Sequence, residues 1–129
     1  PSLPPRLIAL NSLEKLLAAG LVEAGKIKEF HLELSFILRR YIEARFDVAA
    51  PESTTEEFLA DIRHRPEFRG SRRQALKDFL DHCDLVKFAE HQPTPAQVEA
   101  AVANCRQFIV ETASNPEAPI PAAVAKEGG

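Results

Sequence analysis

The stretch FHLELSFILRRYIEARF, residues 30–46, decides the fold that we expect for this chain. No other stretch carries so many large apolar residues at helical spacing without a proline or a glycine. On a helix, five of them form one broad stripe: Phe30, Leu34, Ile37, Leu38 and Tyr41. Leu32, Phe36 and Phe46 project to the side of that stripe. Since only a narrow sector is purely polar, we predict a central helix that neighbouring helices cover on most of its circumference.

Four further helices are predicted around this one, which gives an all-α bundle of about five helices. The first covers about residues 6–19 and the central helix about residues 26–46, with glycines in the short connection between them. Three capping boxes predict where the later helices begin. These boxes are Thr54 with Glu57, Ser71 with Gln74, and Thr94 with Gln97. We expect the bundle to span residues 1–113 and a disordered Pro/Ala-rich tail to follow over residues 114–129.

Two details of the pattern leave alternatives open. The order of helix, turn and helix after Thr54 resembles a helix-turn-helix core. Val48, just after the central helix, is placed where a very short strand pair could form, and the segment DLVKFA, residues 84–89, could fray into extended structure.

The composition narrows the class of protein. A chain of 129 residues with 45% apolar residues forms one globular domain and can bury a core without disulfides or metal. A net charge of −3 argues against a surface devoted entirely to nucleic acid. Cys83 and Cys105 are isolated thiols on apolar helical faces, which predicts buried, reduced cysteines. No apolar run approaches the roughly 20 residues that a membrane-spanning helix needs.

No catalytic site, metal site or cofactor is predicted. Asp78 and His82 can share one helix face, but Cys83 points about 100° away from them, and a zinc site needs about four converging ligands. The sequence contains no nucleophile-elbow serine and no glycine-rich phosphate loop. We therefore expect a protein that is not an enzyme. A metal-dependent or hydrolytic site built from Asp78, His82 and Asp84 is the enzymatic alternative.

A basic cluster surrounds the predicted turn between the third and fourth helices. Its six members are Arg63, Arg65, Arg69, Arg72, Arg73 and Lys77. In a winged-helix-like domain, Arg72 and Arg73 would open a recognition helix and meet DNA, which is the alternative function. Contact with an anionic membrane or with an acidic protein surface is a second interpretation. The acidic overall charge and the lack of aromatic residues in the cluster favour the simplest one, a solvated loop.

Arg45 is the unusual residue of the central helix because it lies in the middle of the apolar stripe. A guanidinium there needs a partner or a route to solvent. We predict an ion pair with Asp84 or Glu57 that fixes the packing of the helices.

Three segments of the chain resemble a known family. The segments LRRYIEARF, PESTTEEFL and FLDHCDLVKFAEHQPT, residues 38–46, 51–59 and 79–94, resemble the cytoplasmic domain of BatD-like, membrane-anchored bacterial proteins. Genes for that family lie beside those for MoxR-type AAA ATPases and von Willebrand factor A proteins, in aerotolerance-type operons. The resemblance covers about residues 7–112. Its most specific residues are Arg39, Tyr41, Arg45, Thr54, Thr55, Glu57, Phe58, Asp84, Lys87 and Phe88.

The resemblance implies a function that the residues alone do not give. It implies a non-enzymatic protein-interaction module on the cytoplasmic side of the bacterial inner membrane, with the MoxR-type ATPase and the von Willebrand factor A proteins as partners. It also implies a transmembrane anchor upstream of Pro1, and we expect the chain, which contains no methionine, to be an excised or processed fragment. Arg39, Tyr41 and Arg45 should then face the TTEEF and DLVKF segments. The predicted ion-pair residues are therefore six: Arg39, Tyr41, Arg45, Glu57, Asp84 and Lys87.

Overall fold

A computed structural model describes residues 3–48 and 54–113, and it confirms an all-α fold in which five helices pack together. The predicted tail at 114–129 lies outside the described residues. The helices are α1 (Pro5–Ala18), α2 (Ile27–Phe46), α3 (Thr55–Ile62), α4 (Gly70–Phe88) and α5 (Pro95–Thr112). A short 3-10 turn, Pro66–Phe68, lies between α3 and α4. The described residues contain no strand, so the proposed strand pair at Val48 is wrong.

The core forms around α2, which packs against α1, α4 and α5. Phe30, Leu34, Leu38 and Tyr41 of the predicted stripe are buried, and Ile37 is half-buried. The side of α2 that carries Leu32 and Phe36 is not covered: these side chains are 52% and 42% exposed.

The sector of α2 that is buried in their place is polar. His31, Ser35 and Arg39 are 0%, 3% and 8% exposed, and they recur every four residues along one side of the helix. The apolar pattern therefore does not by itself decide which side of α2 is covered. Polar side chains take this place because each finds a hydrogen-bond partner there.

The fourth helix differs from its prediction at both ends. At its start, Gln74 donates to Asp78 at 2.8 Å instead of reaching back to cap the helix, and α4 begins at Gly70 without a side-chain cap. At its end, the segment DLVKFA, for which the sequence leaves extended structure open, is helical through Phe88. The helix continues there because Cys83 and Val86, both fully buried, extend its apolar face into the core.

The other two capping boxes are confirmed. Thr54 Oγ1 accepts a hydrogen bond from the backbone of Glu57 at 3.1 Å, and the Glu57 carboxylate accepts one from the backbone of Thr54 at 2.9 Å. Thr94 and Gln97 make the same reciprocal pair at the start of α5. Each box satisfies two backbone N–H groups that have no partner within the helix.

We expect Thr94→Ala to lower the free energy of unfolding by about 1 kcal/mol, because alanine leaves the Gln97 N–H without its acceptor. Thr94→Ser keeps an acceptor oxygen and is the matched control. Urea denaturation followed by circular dichroism measures both variants. An alanine variant as stable as the parent protein would show that the cap contributes nothing.

Candidate functional site

A groove of about 610 Å³ lies between α2 and α4, next to the start of α3. We call it the α2–α4 groove. Its apolar lining comes from Leu32, Phe36 and Phe88, and Phe88 is 75% exposed. Arg40 lies over the ring of Phe36 at 5.3 Å, and Lys87 lies over the ring of Phe88 at 5.1 Å. The groove thus presents two aromatic rings to solvent, each with a cation on one face.

A polar network joins the helices that form the groove. Thr55 Oγ1 donates to Asp84 Oδ2 at 2.6 Å and accepts from Arg39 Nη2 at 3.4 Å. The ammonium group of Lys87 lies 3.6 Å from Asp84 Oδ1 and donates to Ser35 Oγ at 3.3 Å. Because these residues come from α2, α3 and α4, the network fixes the three helices relative to one another.

Arg39 is the most deeply placed cation of this network. Its guanidinium packs over the ring of Phe58 at 5.0 Å. Burial lowers the pKa of Arg39, while the nearby carboxylates of Asp84 and Glu43 act in the opposite direction. Since arginine stays protonated in proteins, the outcome is a buried cation compensated by carboxylates, which is costly to disrupt.

Tyr41 and Arg45 do not belong to this network, which corrects the prediction for both. The Tyr41 hydroxyl lies 3.2 Å from the carbonyl oxygen of Ile109 and 2.9 Å from Thr112 Oγ1. Arg45 Nε donates to the carbonyl oxygen of Thr112 at 2.9 Å. Both residues therefore meet the last turn of α5, where backbone carbonyls have no partner within the helix.

The carboxylates proposed as partners of Arg45 make other contacts. Asp84 accepts from Thr55, and Glu57 completes the cap of α3. Of the six predicted ion-pair residues, Arg39, Asp84 and Lys87 meet in one network, whereas Tyr41, Arg45 and Glu57 lie elsewhere.

Three histidines form a cluster that sequence reasoning missed. His31 Nε2 lies 3.2 Å from His82 Nε2, and His31 Nδ1 lies 3.0 Å from the carbonyl oxygen of Ile27. The rings of His82 and His91 are 6.2 Å apart in an edge-to-face arrangement. Burial lowers the pKa of His31 and of His82, and the neighbouring histidines lower the pKa of both further. The one signal in the sequence was the four-residue spacing of His31, Ser35 and Arg39.

The structure does not assemble the enzymatic alternative. Asp78 bonds Gln74, His82 contacts His31, and Asp84 faces Thr55. Among the residues that the structure describes, no group of three or more His, Cys, Asp or Glu side chains could hold a metal ion. Cys83 and Cys105 are buried free thiols, and burial raises the pKa of each to about 12, so both are protonated at neutral pH.

The six cations of the basic cluster lie in the connection that contains the 3-10 turn and on the first two turns of α4. Arg63 and Arg69 are exposed, and Arg65, Arg72 and Arg73 are half-buried. Two members have partners: Arg72 donates to the backbone carbonyl of Glu67 at 3.4 Å, and Lys77 pairs with Asp81 at 2.7 Å.

The chain matches no protein-family model, no curated protein and no solved structure. The structure itself shows the class of protein. It is an all-α domain of five packed helices, with a groove of apolar and polar side chains beside a polar network. Within the described ranges, no helix combines the length and the hydropathy needed to cross a membrane.

Proposed function

We propose that this chain is a non-enzymatic protein-interaction module that binds its partner through the α2–α4 groove. The observation that carries the proposal is the exposure of Leu32, Phe36 and Phe88 around one groove. Contiguous exposed apolar side chains with a polar rim are typical of sites where another protein docks. Large aromatic side chains at such sites often supply most of the binding free energy.

The polar network suits this role because it holds the groove in one shape. Ser35, Thr55 and Lys87 direct their polar atoms to one another or to Asp84, so these groups are already satisfied before a partner arrives. A partner then gains from burying the apolar lining without having to order the groove first.

The resemblance supplies the identity of the partner. Arg39, Thr55, Asp84, Lys87 and Phe88 are among its most specific residues, and all five line this groove although they are far apart in the sequence. Their convergence supports the proposal that the groove is the surface shared with the BatD-like family. The partner would then be the MoxR-type ATPase or a von Willebrand factor A protein, met on the cytoplasmic side of the inner membrane.

Co-purification tests this proposal. The full-length protein, tagged and extracted from membranes in mild detergent, should bring down the MoxR-type ATPase or a von Willebrand factor A protein encoded beside it. The proposal would be contradicted if the extract contained the ATPase and the von Willebrand factor A protein but neither of them co-purified with the tagged protein.

Phe88→Ser should weaken binding to the captured partner at least tenfold, which is about 1.4 kcal/mol, because it removes the most exposed aromatic ring of the groove. Val110→Ser is the matched control, since Val110 is 58% exposed on α5 and does not line the groove. Titration of the partner by isothermal calorimetry measures both variants, and thermal melts confirm that both are folded. Equal affinity of the two variants would place the binding surface outside the groove.

A further inference from the structure

The positive charge of this chain is concentrated in one short segment. Residues 63–77 contain six Arg and Lys residues and one carboxylate, Glu67, and so carry a net charge of +5. Since the whole chain carries −3, the remainder carries −8. We call the surface formed by the six cations the basic patch.

The one carboxylate of this segment is turned inward. Glu67 is half-buried, and its Oε1 atom is buried with no hydrogen-bond partner in the part of the chain that the structure describes. In the same described ranges, no ion pair involves Arg63, Arg69 or Arg73. The charges of Arg63, Arg69 and Arg73 are therefore not neutralised by an ion pair, whereas Lys77 is paired with Asp81.

The local helix strengthens this positive potential. The first turn of α4 contains no acidic residue, although that is where a carboxylate would be most favourable. Arg72 and Arg73 occupy the start of the helix instead, and their charges add to the positive end of the helix dipole. This arrangement opposes helix stability, so a partner of opposite charge would relieve it.

We propose that the basic patch docks the domain onto the surface of an anionic phospholipid bilayer. Clusters of four to eight Lys and Arg residues commonly bind anionic lipid, and each cation near the surface contributes about 1 kcal/mol. Lipid headgroups require only a sufficient density of cations, which the basic patch supplies through residues of α4 and of the connection between α3 and α4.

The described residues fit nucleic acid less well. Proteins that bind single strands stack bases on aromatic rings, and the one aromatic residue of the segment, Phe68, is fully buried. A winged-helix reader would need a strand pair, and residues 3–48 and 54–113 contain no strand.

Arg63, Arg69 and Arg73 do not line the α2–α4 groove, so this proposal does not rest on the proposed function. Arg73 and Phe88 lie 15 residues apart on the same helix, which is about 22 Å along its axis. A domain held on a bilayer by Arg63, Arg69 and Arg73 would leave Phe88 free to meet a protein partner.

Vesicle sedimentation tests the proposal on this chain. At pH 7.4 and low salt, the protein should bind vesicles that contain about one-third phosphatidylglycerol and not vesicles of phosphatidylcholine alone. Removing three cations with Arg63→Gln, Arg69→Gln and Arg73→Gln should weaken binding about a hundredfold, because each charge accounts for about a fivefold effect. The matched control is Arg6→Gln, Lys15→Gln and Lys26→Gln, which removes three exposed cations outside the basic patch.

Retained binding of the control together with loss in the patch variant would support the proposal, and raised salt should release the parent protein from the vesicles. Three results would overturn it. The first is no binding to phosphatidylglycerol vesicles, and the second is an equal loss in both triple variants. The third is tighter binding to a DNA duplex than to vesicles, with the same dependence on the three arginines.

Discussion

Phe68→Ala is expected to lower the free energy of unfolding by about 3–5 kcal/mol. Phe68 lies in the 3-10 turn and is fully buried. Its ring meets Phe46 of α2 edge-to-face at a centroid distance of 4.8 Å and stacks on Phe108 of α5 at 5.9 Å. One side chain thus fastens the turn to two helices. Single domains are usually stable by only 5–15 kcal/mol, so the variant loses a large share of its stability.

Phe68→Leu is the matched control, because it keeps most of the buried volume and should cost less than about half as much. Urea denaturation of both variants measures the difference. Arg69→Gln provides a second reference at the neighbouring exposed position and should remain within about 0.5 kcal/mol of the parent protein. If Phe68→Ala and the parent protein unfolded at the same midpoint concentration of urea, the side chain of Phe68 could not be a stabilising part of the core.

The second large effect is a loss of stability in mild acid, and it arises from the histidine cluster. His31 is fully buried, and its Nδ1–H can donate to the carbonyl oxygen of Ile27. In that tautomer, Nε2 of His31 accepts a hydrogen bond from the Nε2–H group of His82. Protonation of His31 would place two N–H groups against each other and a charge in the core.

The sign of the pH effect follows from the direction of the pKa shifts. The pKa values of His31 and His82 are lowered in the folded state, mainly by burial, so the unfolded chain binds more protons near pH 6. Stability is therefore complete above the ordinary histidine pKa of about 6.5 and falls as the pH drops below it. Each fully shifted histidine contributes up to about 1.4 kcal/mol per pH unit. His82 is partly exposed, so its share is smaller.

Urea denaturation at pH 7.5 and at pH 5.5 tests this expectation, because carboxylates titrate mainly below that window. The parent protein should lose on the order of 1–2 kcal/mol between the two conditions. His31→Phe should lose at most half as much, whatever its stability at pH 7.5. His64→Gln, at an exposed histidine outside the cluster, should respond like the parent. An unchanged pH response in His31→Phe would show that the cluster is not the source of the effect.

The parts of the fold that could be predicted are those decided within a few residues of sequence. Thr54 and Thr94 cap their helices because the partner of each lies three residues ahead, which a pattern can show. The failed box at Ser71 is instructive, since Gln74 has an equally local alternative in Asp78 and takes it. Two local hydrogen bonds of similar free energy cannot be ranked from spacing alone.

The parts that could not be predicted depend on which helices become neighbours. The partner of Arg45 lies 67 residues away on α5, and no periodicity carries that information. The same holds for His31 of α2 and His82 of α4, which are 51 residues apart. At the candidate site, the resemblance implied that Arg39 faces the segment that contains Asp84 and Lys87, whereas the exposure of Phe88 emerged only from the packing.

The contact between Tyr41 and the end of α5 has a consequence for the order in which the domain assembles. Its hydroxyl joins residues 71 positions apart in the chain, and closing so long a loop is slow compared with winding a helix. α5 can start winding early from its own cap at Thr94, but its last carbonyls stay open to water until α2 reaches them. During synthesis, α5 is also the last of the described helices to leave the ribosome. We therefore expect the final turn of α5 to pack last, when Tyr41 and Arg45 of α2 reach its backbone carbonyls.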